Sequence, residues 1–142
     1  MPVPTQHHLE DSRNREHPDC IACGQGKLPG LGLEFAVCED QGVRAEFPCA
    51  RIYQGYPGLL HGGISSMLLD AAMTNCLFAH NISALTARMI LRYLHPVEVD
   101  RPATVKAWLR EYEPPLYVLE AEIEQNGRVL VRASAKFINR EQ

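Results

Sequence analysis

Between Arg51 and Arg88 the chain runs for thirty-six residues with a single Asp, Glu, Lys or Arg among them: Asp70, set between Leu68, Leu69, Ala71 and Ala72. A carboxylate isolated in apolar sequence is costly to keep charged, so the position suits a group that takes up a proton or attacks an electrophile. Nine residues earlier stands His61, followed by Gly62 and Gly63; after these, Ile64, Met67, Leu68, Ala71, Ala72 and Cys76 recur at helical spacing. A helix opening at a glycine pair offers unpaired backbone N–H groups and partial positive charge with no side chain in the way. Gly62 and Gly63 therefore form a cradle for an oxygen that becomes negative. His61 is either part of that chemistry or a cap on the helix.

The helix is apolar nearly all round, which requires something larger to wrap it. Strands supply the wrapping. Leu33, Phe35 and Val37 alternate inward, a turn follows at 39–42, and Val43, Ala45 and Phe47 return. Beyond the helix, Leu85, Ala87, Met89, Leu91 and Tyr93 fall on one face of a strand and Thr86, Arg88, Ile90 and Arg92 on the other. A strand over Thr104–Tyr112 is stopped by Pro114-Pro115, and the last two strands are joined by Asn126-Gly127, a two-residue hairpin turn. The order is two strands, a helix and four strands, an α+β arrangement in which an antiparallel sheet buries the helix only by curling around it.

Pro-Gly-x-x-His-Gly-Gly with an Asp nine positions after the His, together with Thr-x-Arg and Tyr-x-x-Pro at 86–96, resembles the hotdog-fold acyl-CoA thioesterases, including those of phenylacetate pathways. The resemblance covers the chain from about Cys20 onward. It implies the hotdog fold, a curved antiparallel sheet around a long central helix, and hydrolysis of acyl-CoA to free acid and CoA without a cofactor. It also implies an obligate homodimer, often paired into a homotetramer. At ~1.5 Å rise per residue, His61 and Asp70 stand about 13 Å apart along one straight helix, so a site using both needs two chains with antiparallel helices. The Gly62 N–H, aided by Gly63 or His61, would hold the thioester oxyanion, and Asp70 of the other chain would activate water or attack directly. By the same carry-over, Thr86 holds the attacking water. Family members carry Asn six residues before the His; here that position is Gly55, with Gln54 beside it as the candidate for the missing amide. Gln54, Gly55, Gly63 and Arg88 are assigned to substrate binding. The alternatives are a hotdog dehydratase or hydratase, and a non-catalytic acyl-CoA-binding module.

The remaining features mostly exclude functions. With 142 residues, 46% hydrophobic and 22% charged, the chain fits one domain. A net charge of −3 with mixed signs gives no basic face for nucleic acid. The apolar stretch around the helix is interrupted by Pro57, by glycines and serines and by Asp70, so no membrane span is expected. The N-terminus has no apolar core of a signal peptide, and the expected compartment is the cytoplasm, with five free thiols. Residues 1–19, polar and aperiodic, are read as a mobile tail before a domain over 20–142. His17, Cys20 and Cys23 sit three apart. Cys-x-x-Cys can bind one zinc with His17 and Cys38 or Cys49 completing four ligands, but without a second Cys-x-x-Cys the segment is read as a tight turn with packed thiols, and no metal is assigned.

Overall fold

A computed structural model describes residues 1–26 and 29–140. Its elements are α1 (Gln6–Glu16), β1 (Ala36–Val37), β2 (Val43–Phe47), a 3-10 turn (Arg51–Tyr53), α2 (Gly62–Ala79), β3 (Ala84–Tyr93), β4 (Ala103–Glu113), β5 (Leu116–Gln125) and β6 (Arg128–Asn139). The six strands form one antiparallel sheet in the order β1-β2-β4-β5-β6-β3. The chain leaves the β2 side, runs through α2 and re-enters at the opposite edge as β3. The helix thereby crosses the concave face, which is the hotdog arrangement.

Alternation along the strands puts Val105, Ala107, Leu119, Ala121, Ile123, Ala133, Ala135 and Phe137 against α2. Leu68, Leu69, Ala72, Met73 and Cys76 fill the space from the helix side. The Asn126-Gly127 hairpin forms as its sequence predicts, with φ of 53° and 75°, the two left-handed residues of a type I′ turn. The first hairpin is shorter than expected. Leu33 and Phe35 are buried, but the N–H groups of Leu31 and Leu33 bond to the carbonyls of Ile21 and Ala22, so pairing with β2 is confined to Ala36 and Val37.

The stretch read as a mobile tail is the helix α1. Thr5 caps it, its hydroxyl accepting the His8 N–H at 3.0 Å. Only Leu9 and Ser12 are fully buried in it, so no apolar stripe marks it in the sequence. Polar clamps hold it instead. The Thr5 N–H bonds to Ala79 O, Gln6 bridges Phe35 O and the Val37 N–H, and Glu16 meets Ser83 and Arg140. α1 packs on α2 and covers its C-terminal half, whose residues from Ala71 to Ala79 are all buried. The N-terminal half keeps Ile64, Met67 and Asp70 partly exposed.

The loop before α2 is fixed by the crossover from β3 to β4. Leu60 N–H bonds to Val97 O at 2.8 Å and Val99 N–H to Gly58 O at 3.0 Å. Buried Gln125 holds the crossover in turn, accepting from the Glu98 N–H and donating to the carbonyls of Glu98 and Arg101. No helix among the described residues is long and apolar enough to cross a membrane.

Candidate active site

α2 begins at Gly62 with His61 as its N-cap. His61 Nδ1 accepts the Gly63 N–H at 2.8 Å, and the His61 N–H bonds to Tyr53 O at 2.9 Å. The histidine therefore carries its proton on Nε2 when neutral, and two of the three donors expected for an oxyanion are spent. The Gly62 N–H has no acceptor among the described residues. It is the open donor at the helix start. A Cβ on Gly63 would sit 3.0 Å from His61 Nδ1, whereas one on Gly62 meets the Tyr93 side chain first, at 3.6 Å. Glycine at 63 thus serves the cap, and glycine at 62 leaves the approach to the donor clear.

Tyr93, not a candidate site residue by sequence, joins the site from the end of β3. Its hydroxyl donates to Gly62 O at 2.8 Å, tying the end of β3 to the first turn of α2. The only sequence signal for it is its place in the Tyr-x-x-Pro run.

Thr86 Oγ1 donates to Asp70 Oδ1 at 2.6 Å, and Oδ2 makes no hydrogen bond among the described residues. Asp70 is half-buried, less enclosed than its apolar neighbours suggest. A β-bulge in β3 makes the meeting possible. Thr86 pairs with Phe137 and Arg88 with Lys136, so Ala87 is the extra residue. Before the bulge Thr86 shares the inward face of Phe137. After it Met89, Leu91 and Tyr93 share that of Ala135, Ala133 and Val131. Simple alternation placed Thr86 with Arg88; the bulge separates them. Arg88 lies on the outer face beside Lys136, away from Asp70 of the same chain.

Gln54 and Gly55 lie beside the helix start. Gln54 Oε1 accepts the Gly58 N–H at 3.0 Å, which closes the loop and commits the amide oxygen proposed to replace the family's Asn. A Cβ on Gly55 would approach His61 Cα to 3.3 Å, so this loop packs closer to the histidine than a larger residue permits without adjustment. Gly55, Tyr56, Leu60, His61 and Gly62 line a groove of about 280 Å³, and a second of about 230 Å³ lies on the other side of Gly62, against Tyr93 and Val97. A larger concavity, about 1090 Å³, is elsewhere, between α1 and the end of β6, where Glu16 is already engaged by Arg140. The helix start is the candidate site, since an unspent donor there faces a groove.

In a single chain the Gly62 donor and Asp70 do not converge: eight residues of helix separate them by about 12 Å along the axis. His17, Cys20 and Cys23 do converge, with ligand atoms all within 4.8 Å of one another. Cys38 and Cys49 do not join them. Their sulfurs lie near Ala36 O and Phe47 O, so completion by either thiol is not realised. All five cysteines are free.

A family model described as Thioesterase superfamily matches residues 57–134, more than half of the chain, from the loop before α2 into β6. Acyl-coenzyme A thioesterase THEM4 of Bos taurus is 26% identical over 92 residues, 63% of this chain and 38% of that protein. The Rattus norvegicus protein of the same name is 24% identical over 141 residues, covering 94% of this chain and 61% of its own length. The chain thus spans about two fifths to three fifths of these relatives. Among solved structures, the E. coli PaaI protein from the phenylacetic acid degradation operon superposes with a TM-score of 0.79 at 14% identity, covering 95% of each chain. A hypothetical thioesterase from Streptococcus pneumoniae TIGR4, solved with coenzyme A, gives 0.71 at 20% identity over 78% of this chain and 87% of that one.

Proposed function

The chain belongs to the thioesterase superfamily, and from that premise we propose that it hydrolyses acyl-CoA thioesters at two equivalent sites per homodimer. The observation that carries the reading is the hydrogen bond from Thr86 to Asp70. It fixes one carboxylate oxygen, leaves the other free as a base, and leaves the lone pairs of the threonine hydroxyl to hold a water. In the proposed reaction Asp70 of one chain takes a proton as that water attacks the thioester carbon. The oxyanion accepts the Gly62 N–H of the other chain at the positive end of α2. Collapse expels the CoA thiolate, and the proton held by Asp70 passes to the sulfur. His61 orients the first turn of α2 through its cap.

Support for two chains comes from what one leaves uncovered. Besides the separation of donor and base, β3 is a ten-residue edge strand with Leu85 and Tyr93 more than half exposed. A long edge of this kind is a template for strand pairing with a second copy. CoA as carrier is supported by the coenzyme A in the Streptococcus structure and by the names of the THEM4 proteins. A dehydratase reading is less favoured, since Nδ1 of His61 is engaged by the Gly63 N–H instead of facing the groove as a base.

Free-thiol release from a panel of acyl-CoAs tests the proposal. Asp70→Asn is expected to lower turnover on the best substrate about 100-fold or more, with the fold and the oligomer unchanged. Wild-type turnover in that variant removes Asp70 from the chemistry. Acyl-CoA binding without hydrolysis by the wild type establishes the binding-module reading, which Gly55 and the engaged amide oxygen of Gln54 favour.

A further inference from the structure

We propose that His17, Cys20 and Cys23 hold a tetrahedral zinc ion, with water in the fourth position, at the joint between α1 and the segment leading to β1. The proposal does not depend on thioesterase activity. The three ligand atoms come from a stretch of seven residues yet lie within 4.8 Å of one another, partly or fully buried. His17 Nδ1 stands 3.5 Å from Cys23 Sγ. Zinc–sulfur and zinc–nitrogen bonds of about 2.3 and 2.0–2.1 Å at a tetrahedral angle place such ligands about 3.6 Å apart. The pair is already at metal-binding separation.

The backbone around the cysteines is shaped for the same purpose. The Ala22 N–H points at Cys20 Sγ, at 3.4 Å, a donor that stabilises a thiolate. The Gly24 N–H closes the turn onto Cys20 O at 2.9 Å, and a Cβ on Gly24 would lie 2.6 Å from Cys20 N and 2.7 Å from its O. Cys-x-x-Cys-Gly thus folds back so tightly that its last residue has to be glycine. Packed thiols alone do not require that turn.

A separate observation points to the fourth ligand. Burial raises the pKa of the Cys23 thiol, and the amide of Asn75 of α2, itself fully buried, acts on that thiol in the opposite direction. Its Nδ2 donates to Ala71 O, while its Oδ1 has no partner among the described residues. An orphaned buried acceptor is costly, and a metal-bound water beside the cluster would satisfy it. On binding, the two thiols release their protons to solvent and the imidazole coordinates in its neutral form. The ion would pin the C-terminal end of α1, where His17 also meets the Phe78 ring edge-on at 5.1 Å, to the turn that enters the sheet.

The test uses the full chain, kept reduced. Elemental analysis is expected to find about one zinc per chain, removable by a chelator with a fall in melting temperature. Cobalt(II) added to the metal-free protein should give thiolate charge transfer in the near ultraviolet and the strong visible bands of a tetrahedral site. Cys23→Ser should weaken both, and Cys38→Ser should leave both intact. Failure of reduced, folded wild-type protein to bind cobalt overturns the proposal, as does an unchanged charge-transfer band in Cys23→Ser or a Cys20–Cys23 disulfide in freshly isolated protein. If Cys23→Ser does not fold, Cys20→Ser takes its place, with the same weakening expected and an unchanged charge-transfer band overturning the proposal.

Discussion

Thr86 and Val differ by one hydroxyl for a methyl, and in this chain that hydroxyl both donates to Asp70 and, in the proposed reaction, holds the water. Thr86→Val should therefore lower kcat about 10-fold with KM little changed, while Thr86→Ser retains most of the activity. Steady-state kinetics on one acyl-CoA separates the two; equal losses in both variants would point to packing at this site. The residue scale also shows how the tasks divide at the helix start. His61 spends its Nδ1 on Gly63, and this leaves Gly62 as the open donor.

The C-terminal end of α2 holds a titration that bears on the element. His80 is buried at the C-cap, its Nδ1 hydrogen-bonded to Cys76 O at 2.8 Å. Burial lowers its pKa from 6.5, against the raising effect of the Cys76 carbonyl. The folded state therefore holds the ring neutral at a pH where the unfolded chain has begun to take up the proton. This contribution to stability is present above pH 6.5 and is lost as pH falls through the lowered folded value. Burial gives the half-buried His17 the same direction. Urea midpoints from pH 7.5 to 5 should fall for the wild type and fall less steeply for His80→Asn, which keeps a donor for Cys76. Parallel curves for the two proteins would assign the acid sensitivity to other groups. Burial pushes the Cys76 thiol of the same helix up to about 12, so it stays protonated and slow to react with alkylating reagents in the folded state.

For the whole molecule, two lesions on different chains decide whether the site is shared. Gly62→Val should push a branched side chain toward Tyr93 and block the donor, and Asp70→Asn removes the base. Each homodimer should be inactive. In a mixed dimer one site inherits both lesions and the other neither, so mixing should restore up to one good site per heterodimer. Mass spectrometry would confirm subunit exchange; exchange without recovery means that both groups act within one chain or that the motif is structural. Assembly beyond the dimer has a candidate surface as well. Leu116, Ile138 and Leu85 are paired across three strands and exposed on the outer sheet face. A sedimentation mass of two chains or fewer would remove the tetramer.

What the sequence determined by itself was whatever local burial and turn chemistry encode. This covers the central helix opening at the glycine pair, the order of six strands, the Asn126-Gly127 hairpin, and Asp70 as the one carboxylate of the central stretch. Period-two and period-3.6 patterns report which residues face a core, and they did so wherever an element is regular. The tertiary structure decided the rest. α1 is polar and docks through hydrogen bonds to Phe35, Val37, Ala79, Ser83 and Arg140, distant partners that leave no periodic mark. The bulge at Ala87 resets the phase of β3, bringing Thr86 to Asp70 and turning Arg88 outward. A pattern of period two carries no sign of where an extra residue is absorbed, because the register is set by the partner strand.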